Sequence, residues 1–409
     1  MGVRIERIAR DLDTINSFNA TPGKGITRFT FSEPYMQARA YVCEELQKIG
    51  ARVSTAVAGN LYGRLEGSIR GRPPVMTGSH IDSVLHGGRF DGVAGVAAGL
   101  EVARVFAEEK IPHRHPLDVV VFAEEEGSRF GSVMIGSRAW IGKLSPDDLH
   151  RLKDSEGIPY AEAMERAGIH PDDDRLLTPG LRKGMIELHI EQSLVLESKR
   201  IPIGVVEGIN GIKQFVVTVG GVPNHAGATP MALRQDALQG AARAIAAVED
   251  IALREMGGHT VATVGMLTCE PGQANVIPGR VRFSLDIRDL DAERIDRAAQ
   301  RIITVIETIC QDRGLTLEIK PRSDTPPVRL SKELVRLIEE TAREKQIEVL
   351  RMPSGALHDS SILPEVTEVG MIFVPSKNGR SHCPEEETDL EDIRTGAELL
   401  LRVMAKLAG

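Results

Sequence analysis

The sequence predicts an α/β protein of two domains, in which a larger domain with a mostly parallel sheet is interrupted by a smaller inserted one. A chain of 409 residues is longer than one ordinary core accommodates. Strand and helix patterns alternate before residue 124, which is typical of a parallel sheet covered by helices. Between residues 211 and 327 the order changes to βαββαβ, and the α/β alternation then resumes.

The larger domain is predicted from a series of helices and strands. Residues 36–49 carry apolar side chains on one helical face, and Gly50 ends the helix. The nearly continuous apolar segment 117–123 is typical of a strand that is buried on both faces. A helix over 92–110 lies between this strand and the strand-like segment PVMTGS. The three segments together form the strand–helix–strand unit of a parallel sheet.

The inserted domain is predicted over residues 211–327. Its elements are expected at 214–221, 236–256, 260–267, 280–289, 291–314 and 315–320. Asp291 precedes the second helix as its N-cap, and Gly314 ends that helix. The βαββαβ order matches the ferredoxin-like pattern. Residues 1–210 and 328–409 would then form one discontinuous catalytic domain.

Composition excludes several classes of function. Hydrophobic residues make up 42% and charged residues 26%, as in an ordinary globular protein, and the formal net charge is −8. Because no basic excess is available to neutralise phosphates, we expect no nucleic-acid or membrane-surface partner. The N-terminus lacks the apolar core of a signal peptide, and no stretch approaches the roughly 18 apolar residues that span a bilayer. The four cysteines form no C-x-x-C pair, so we expect a cytoplasmic protein with free thiols.

The first candidate site residues lie in the segment GSHIDSVLHGGRFDG. His80 ends a predicted strand, and Asp82, two residues further on, should point the same way. We expect the Asp82 carboxylate to hydrogen-bond the far ring nitrogen of a metal-ligating His80, which fixes the tautomer of the ring. Asp91 lies among glycines that allow a close backbone approach, and its two oxygens could bridge two cations.

Acidic residues and two further histidines complete the candidate site. Glu124, Glu125 and Glu126 follow the buried strand, at the edge where α/β sheets bind ligands. His189 lies in MIELHIEQ and His382 in GRSHCPEE. Taken singly, a strand histidine is usually structural and three glutamates are usually a solvated turn. Three acids after a buried strand, however, repel one another unless a cation compensates them. The combined set therefore predicts a binuclear site of nitrogen and oxygen ligands.

An ordered series of segments along nearly the whole chain carries a family resemblance. The segments are TRFTFS, GNLYGRLEG, GSHIDSVLHGGRFDG, EEEGSRF, ELHIEQ, NHAGATPM, NVIPGR, DIRDL, PSGALHDS and SHCPEE. In them the chain resembles the hydantoinase/carbamoylase branch of the di-zinc aminoacylase/carboxypeptidase superfamily. The resemblance implies that the inserted domain is a lid and dimerisation domain, that the protein is a homodimer, and that the domains close around a small substrate.

The resemblance implies two divalent metal ions, either zinc or manganese or cobalt. One would be held by His80, Asp91 and His189, and the other by Asp91, Glu126 and His382. Glu125 would be the general base, which takes a proton from water and later delivers it to the leaving nitrogen. Peptidases of the superfamily usually carry a carboxylate in the role of His189, so the histidine favours the carbamoylase branch. Asp82 and His225 complete the predicted catalytic set.

Substrate contacts are also implied by the resemblance. His225, from the inserted domain of a partner subunit, would stabilise the tetrahedral oxyanion. Arg288 would clamp the substrate α-carboxylate, although the neighbouring Asp286 leaves a local ion pair as the alternative. The other expected contacts are the side chains of Gln192 and Asn275 and the backbone of Gly355 and Ala356, with His358 and Asp359 beside them.

The predicted reaction is hydrolysis of the carbamoyl C–N bond of an N-carbamoyl-L-amino acid to the amino acid, carbon dioxide and ammonia. Allantoate is the alternative substrate. The segment Ile212-Lys213-Gln214 departs from the Gln-Arg-Arg of allantoate enzymes and DIRDL is closer to carbamoylases, whereas NLYGRL and AEEEGSRF favour allantoate. An aminoacylase or dipeptidase of the same superfamily, and a binding protein that has lost catalysis, are the remaining alternatives. The last of these predicts missing ligands, and none is missing.

Overall fold

The computed structural model describes residues 2–409, which form two compact units. The first unit contains the chain up to Glu207 together with Leu330–Gly409, and the second contains Gly208–Arg329. The sequence predicts 211–327 for the inserted domain. The chain thus leaves the first unit at the end of one strand and re-enters it after a second, independently packed core.

Strands and helices alternate through both units. The strands are β1 (Arg52–Thr55), β2 (Leu61–Leu65), β3 (Val75–His80), β4 (Leu117–Phe122), β5 (Gly184–Ile190), β6 (Ile203–Ile209), β7 (Gly211–Gly220), β8 (Asn224–His225), β9 (Val261–Thr263), β10 (Leu267–Glu270), β11 (Val276–Ile277), β12 (Arg280–Asp289), β13 (Thr316–Thr325), β14 (Val328–Arg329), β15 (Val349–Ser354) and β16 (Val369–Val374). The helices are α1 (Ile5–Ser17), α2 (Glu33–Lys48), α3 (Val93–Glu108), α4 (Ile135–Trp140), α5 (Pro146–Arg151), α6 (Tyr160–Arg166), α7 (Val195–Lys199), α8 (Ala237–Asp250), α9 (Ala292–Asp312), α10 (Lys332–Glu344) and α11 (Leu390–Ala408). None of the helices in residues 2–409 combines the length and apolarity needed to cross a bilayer.

The larger sheet is parallel at its centre. Its order is β1-β2-β4-β3-β5-β16-β6-β14, and β15 pairs with β6. The strands β4, β3, β5 and β16 run parallel to one another, whereas β2 and β6 join this centre in the antiparallel direction. The predicted mixed α/β fold with a largely parallel central sheet is confirmed, and the antiparallel edges are an addition that hydrophobic patterns did not predict.

The four central strands are buried at every residue. Their apolar side chains share one core with those of α3 and α11, which explains why these strand sequences are apolar without alternation. Because the strands are parallel, their carboxyl ends lie at a single edge of the sheet. Ligand sites of α/β proteins form at that edge.

The second unit has its own antiparallel sheet, in the order β10-β12-β7-β13, with β9 also paired to β12. Residues of β12 alternate between buried and more exposed positions, as expected of a sheet with one face on a core. The buried face packs against α8 and α9. Asp291 caps α9, as predicted, by accepting the Arg294 N–H at 2.9 Å.

One predicted strand of this unit is interrupted. The sequence predicts a single strand over 260–267, but β9 ends at Thr263 and β10 begins at Leu267. Thr263 lies opposite Asp286 and Leu267 lies opposite Phe283, so three residues on the outer strand face only two on β12. The extra residue forms a bulge, which an alternating apolar pattern does not reveal.

Helix α3 lies very close to two of the strands that carry candidate site residues. A Cβ atom on Gly95 would lie 2.4 Å from the Leu188 carbonyl oxygen and 2.9 Å from Ser79 Cβ. Ser79 and Leu188 each directly precede a histidine of the candidate site. Glycine at this position therefore sets the distance between α3 and the strand ends that present His80 and His189.

We expect Gly95→Ala to lower the free energy of unfolding. Alanine raises helix propensity by about 1 kcal/mol, but overpacking against backbone costs about 1–3 kcal/mol, and the clash should outweigh the gain. Gly99→Ala is the matched control in the same helix, since its Cβ would meet two methyl groups at 3.3 and 3.5 Å and the Gly78 Cα at 3.7 Å, none of them closer than 3.3 Å. Thermal unfolding followed by circular dichroism should show a lower midpoint for Gly95→Ala alone. Equal midpoints for the two variants would contradict this packing argument.

Candidate metal centre

The candidate site forms where the four parallel strands end. His80 is the last residue of β3, and Glu124–Glu126 follow the end of β4. His189 is the penultimate residue of β5, and the loop after β16 leads to His382. The parallel order of the strands therefore brings residues together that lie far apart in the sequence.

The Asp91 carboxylate is shared by three imidazole rings. Its Oδ1 lies 3.4 Å from His80 Nε2 and 3.2 Å from His189 Nε2. Its Oδ2 lies 3.3 Å from His382 Nε2, which is also 3.4 Å from Glu126 Oε2. The five residues thus form two groups that share Asp91, and within each group the donor atoms lie within 4.8 Å of one another.

Two of the rings are oriented by backbone carbonyl groups. His80 Nδ1 is 3.0 Å from the Asp82 carbonyl oxygen, and His189 Nδ1 is 3.0 Å from the Ile190 carbonyl oxygen. A carbonyl oxygen only accepts hydrogen bonds, so both rings carry a proton on Nδ1. In their neutral form, both rings therefore carry their lone pair on Nε2, the nitrogen nearest Asp91, and that of His189 accepts the Gly92 N–H at 3.2 Å.

The Asp82 carboxylate does not orient His80 in the way that the sequence predicts. Its Oδ1 is 3.8 Å from His80 Nδ1, which is too long for a hydrogen bond. The prediction assumed that the strand continues to Asp82, but β3 ends at His80, so strand alternation no longer fixes the direction of the side chain. The second oxygen, Oδ2, accepts the Glu126 N–H at 3.1 Å. The Asp82 carboxylate therefore stabilises the acidic turn after β4, whereas the backbone carbonyl of Asp82 orients the His80 ring.

Several turns at the site have positive φ. Gly92 has φ 65°, and a Cβ there would lie 2.5 Å from the His80 ring, so glycine is required directly after Asp91. Glu124, Gln192 and His382 have φ of 54°, 52° and 57°. Such angles are uncommon outside glycine and concentrate at functional sites.

Glu125 lies beside the first donor group without belonging to it. Its Oε2 is 3.8 Å from His80 Nε2, and the residue is only 7% exposed. It directly precedes Glu126, which is a member of the second donor group. The geometry thus places Glu125 beside the first donor group and next in sequence to a member of the second.

Gln192 orients Asp91. Its Nε2 donates to Asp91 Oδ2 at 2.7 Å, and the Ser381 hydroxyl lies 2.9 Å from the same oxygen. The sequence predicts a substrate contact for Gln192, and the Nε2 end of the amide is already engaged. The Oε1 end is buried and accepts no hydrogen bond from any residue that the structure describes.

The segment from Ser354 to Asp359 lies against His189. The His358 ring contacts the His189 ring edge-on, with centroids 4.6 Å apart, and its Nε2 is 2.9 Å from Ser354 Oγ. The Ala356 N–H donates to the Ser354 hydroxyl, and the Ala356 carbonyl accepts from it, so the N–H is engaged within this segment. Gly355 lies at an exposed position. Asp359 accepts the Ser137 hydroxyl through one oxygen.

The second unit carries the predicted oxyanion donor. His225 lies opposite Val276 in the β8–β11 pair, and Ala226 N–H donates to the Asn275 carbonyl at 2.9 Å, so His225 and Asn275 are neighbours. His225 Nδ1 accepts the N–H groups of two following residues, each at 3.1 Å. The neutral ring therefore carries its proton on Nε2 and can donate it outward.

Arg288 makes the local ion pair that its sequence neighbourhood allows. Its Nε is 2.8 Å from Asp286 Oδ1, and its second terminal nitrogen is 3.2 Å from Asp286 Oδ2. Gln214 also donates to Asp286 Oδ2, at 2.7 Å. The guanidinium is partly exposed, so the pair lies at the surface of its unit.

Comparison with known proteins identifies the family. Residues 76–406 match the model of peptidase family M20/M25/M40. The chain belongs to this family. It is 41% identical to the N-carbamoyl-L-amino acid amidohydrolase of Geobacillus stearothermophilus, with 98% of each chain covered. It is 35% identical to the allantoate amidohydrolase of Escherichia coli strain K12, again with 98% of each chain covered.

A solved structure supports the same assignment. An amidase of the hydantoinase/carbamoylase family from Burkholderia multivorans has a TM-score of 0.96 and 34% identity, and the match covers 100% of this chain and 98% of that one. The family resemblance carried by the sequence motifs is confirmed.

Buried charges are concentrated at the strand ends of this M20 protein. Burial, reinforced by the charge of Asp91, raises the pKa of Glu126 to about 7. Burial likewise raises the pKa of Glu125 well above its usual value, and Glu126 adds to the effect. Contact with Asp91 raises the pKa of His382 to about 9. The Asp91 carboxylate thus opposes a second negative charge on Glu126 and favours a positive charge on His382, which is the electrostatic environment expected beside a cation site.

Three residues that support this M20 site were not among the predicted site residues. Glu386 accepts the backbone N–H groups of Phe90 and Asp91 at 2.8 and 3.0 Å. Ser381 lies between Glu386 and Asp91. Glu187 is buried and accepts the hydroxyls of Ser79 and Ser360. Glu187 and Glu386 lie in the segments ELHIEQ and SHCPEE, but spacing alone does not reveal which carboxylates accept hydrogen bonds from distant residues.

Proposed function

We propose that this chain is a metal-dependent amidohydrolase that cleaves the carbamoyl C–N bond of an N-carbamoyl-L-amino acid. Water is consumed, and the amino acid, carbon dioxide and ammonia are released. The observation that carries the proposal is the Asp91 carboxylate shared by two donor groups, with Glu125 beside them. It is joined by 41% identity to an N-carbamoyl-L-amino acid amidohydrolase.

The donor atoms suit two divalent cations. His80, Asp91 and His189 would hold one, and Asp91, Glu126 and His382 would hold the other. Backbone carbonyls fix the Nδ1 protons of His80 and His189, so the Nε2 atoms of both rings are the ones that would coordinate a metal ion. This mixture of nitrogen and oxygen is accepted by zinc, manganese and cobalt. Bound cations would polarise the carbamoyl carbonyl and lower the pKa of a water molecule.

Glu125 acts as the general base in this proposal. Its carboxylate borders the first donor group at 3.8 Å from His80 Nε2 and belongs to neither donor group. A carboxylate in that position can take a proton from the attacking water and return it to the leaving nitrogen. Asp82 supports this step indirectly, because it fixes the turn that presents Glu125 and Glu126.

Substrate groups would be held by the remaining predicted site residues. His225, with its proton on Nε2, would donate to the developing oxyanion, and Asn275 beside it would bind the amide. Arg288 would bind the α-carboxylate of the substrate, which would compete with Asp286 for the guanidinium. Asp286 also accepts a hydrogen bond from Gln214. The unpartnered Gln192 Oε1 would accept an N–H of the substrate.

The second unit would serve as a ferredoxin-like lid and dimerisation domain. Its antiparallel strand order, β10-β12-β7-β13 with two helices on the buried face, supports this assignment. The outer strand segments carry exposed apolar side chains, with Val261 at 56%, Met266 at 63% and Leu267 at 49% exposure. An unpaired, apolar sheet edge is a template for pairing with another strand. We therefore propose a homodimer in which this edge meets a second copy.

The dimer should be weakened by charge on the exposed edge. Met266→Asp and Leu267→Asp place carboxylates in the proposed interface, and we expect both to shift the sedimentation coefficient from two chains to one. Val222→Asp is the control, because Val222 is 51% exposed but lies outside these strands. If sedimentation velocity gives a monomeric wild type, or dimers of all three variants, the edge is not the interface.

Glu125→Gln should abolish turnover without removing metal. Loss of the base is expected to lower kcat by about 10²–10⁴-fold, while the two donor groups remain complete. Glu126→Gln is the contrasting variant, since it removes a member of the second group and should lower metal stoichiometry. Metal analysis and initial rates measured on the same preparations distinguish the two roles. Near-normal rates for Glu125→Gln would remove it from the base role.

The substrate is tested by a panel of four compounds. Protein reconstituted with zinc or manganese is offered N-carbamoyl-L-methionine, allantoate, N-acetyl-L-methionine and a dipeptide. Ammonia is measured for the first two and free amino acid for the others, and we expect carbamoyl-methionine to react fastest. The 35% identity to an allantoate amidohydrolase makes allantoate the second candidate. Reaction of the acetyl compound or dipeptide alone would indicate an aminoacylase or dipeptidase, and no reaction would indicate a binding protein.

A further inference from the structure

Glu386 joins two loops that carry members of the donor groups. Its Oε1 accepts the N–H of Phe90 at 2.8 Å and the N–H of Asp91 at 3.0 Å. Its Oε2 is 2.8 Å from the hydroxyl of Ser381, the residue directly before His382. One carboxylate thus contacts the backbone of the shared aspartate and the loop that presents the third histidine.

The Ser381 hydroxyl extends this connection to the Asp91 side chain. It lies 2.9 Å from Asp91 Oδ2, the same oxygen that accepts from Gln192 and faces His382. Asp91 is consequently held at its backbone N–H by Glu386 and at its carboxylate by Ser381. These contacts fix which oxygen of Asp91 faces His80 and His189 and which faces His382.

The surroundings of Glu386 are shaped to hold its carboxyl group. Glu386 is 3% exposed, and a Cβ on Gly88 would lie 2.1 Å from its carboxyl carbon. The φ of Gly88 is outside the left-handed region, so its backbone is compatible with alanine. The absence of a side chain at this position is therefore explained by the space that the Glu386 carboxyl occupies.

We propose that Glu386 is a positioning residue, which sets the Asp91 carboxylate and the Ser381–His382 segment in register so that both donor groups can form. The inference rests on the proposed metal-dependent function. It does not depend on the substrate, because the contacts involve only residues of the donor groups and their neighbours. Glu386 touches neither the Nε2 atoms nor the carboxylate oxygens that face them.

The positioning role makes different demands on different substitutions. In Glu386→Gln, the amide oxygen can still accept the two N–H groups, and the amide nitrogen can donate to Ser381, whose own proton then goes to Asp91. In Glu386→Ala, both loops lose their link. Gly88→Ala should push the Glu386 carboxyl group out of its position without changing the residue at 386. Glu385→Ala is the matched control, since Glu385 is the exposed neighbour in the same acidic run.

Calorimetric titration of chelator-treated protein with Zn²⁺ alone tests the proposal without any substrate. We expect wild type, Glu386→Gln and Glu385→Ala to bind two equivalents with similar affinity. For Glu386→Ala and Gly88→Ala we expect one equivalent or both to bind about 10–100-fold more weakly. Circular dichroism establishes that each variant is folded, and the visible spectrum of the Co²⁺ form should change in the same two variants.

The outcomes separate this inference from the proposed function. Wild-type zinc binding by Glu386→Ala and Gly88→Ala, or weak binding by Glu386→Gln, would overturn the positioning role. If Glu386→Ala does not fold, Gly88→Ala decides between these results. A wild type that binds two equivalents of zinc but cleaves no carbamoyl compound would remove the proposed substrate and leave the positioning role intact. A wild type that binds no zinc would remove both.

Discussion

The Asp91 carboxylate is the group on which the arrangement of the site depends. Its two oxygens face different histidines, so a rotation of the side chain would disturb both donor groups at once. Gln192 and Ser381 hold Oδ2 against that rotation, Glu386 holds the backbone N–H of the same residue, and Gly92, the next residue, lies close against the His80 ring. The loop between β3 and α3 is therefore a rigid ligand holder, although it has no regular secondary structure.

Rigid strand ends complete this holder. His80 and His189 each direct Nδ1 to a backbone carbonyl within two residues, so the fold itself sets the direction of Nε2. The strands in turn are kept at fixed distance from α3 by Gly95. Because backbone groups cannot change rotamer, orientation of this kind survives movement of neighbouring side chains and solvent. Only His382, on an exposed loop, depends on side-chain contacts for its position.

Much of this organisation was predictable from the sequence, and the rest has identifiable physical causes. Apolar runs and a helix cap predicted the central strands and α9, because burial and capping leave local signals. The five residues of the donor groups were predicted from motifs, and the structure brings all five together. The contact between Asp82 and His80 was predicted wrongly, because the end of β3 decides the direction of a side chain and no local signal marks that end. Gln192 and Glu386 depend on partners about 100 and 300 residues away, which only the folded chain brings near.

The charges at the strand ends explain why such a holder is needed. Burial is the main cause that raises the pKa of Glu124 and Glu126 to about 7 and that of Asp359 to about 8. An acid whose pKa is raised by folding binds its proton more tightly in the folded chain, so the folded state loses stability as pH rises from the usual carboxyl value to the raised one. The buried guanidinium of Arg28 does not relieve this, because it donates to the carbonyls of Ile81, Ile15 and Phe18. Cations bound only by the folded chain would offset the loss by mass action. Glu126, which belongs to the second donor group, would then destabilise the protein without cations and favour the loaded one, which ties the metal content of the proposed enzyme to its fold.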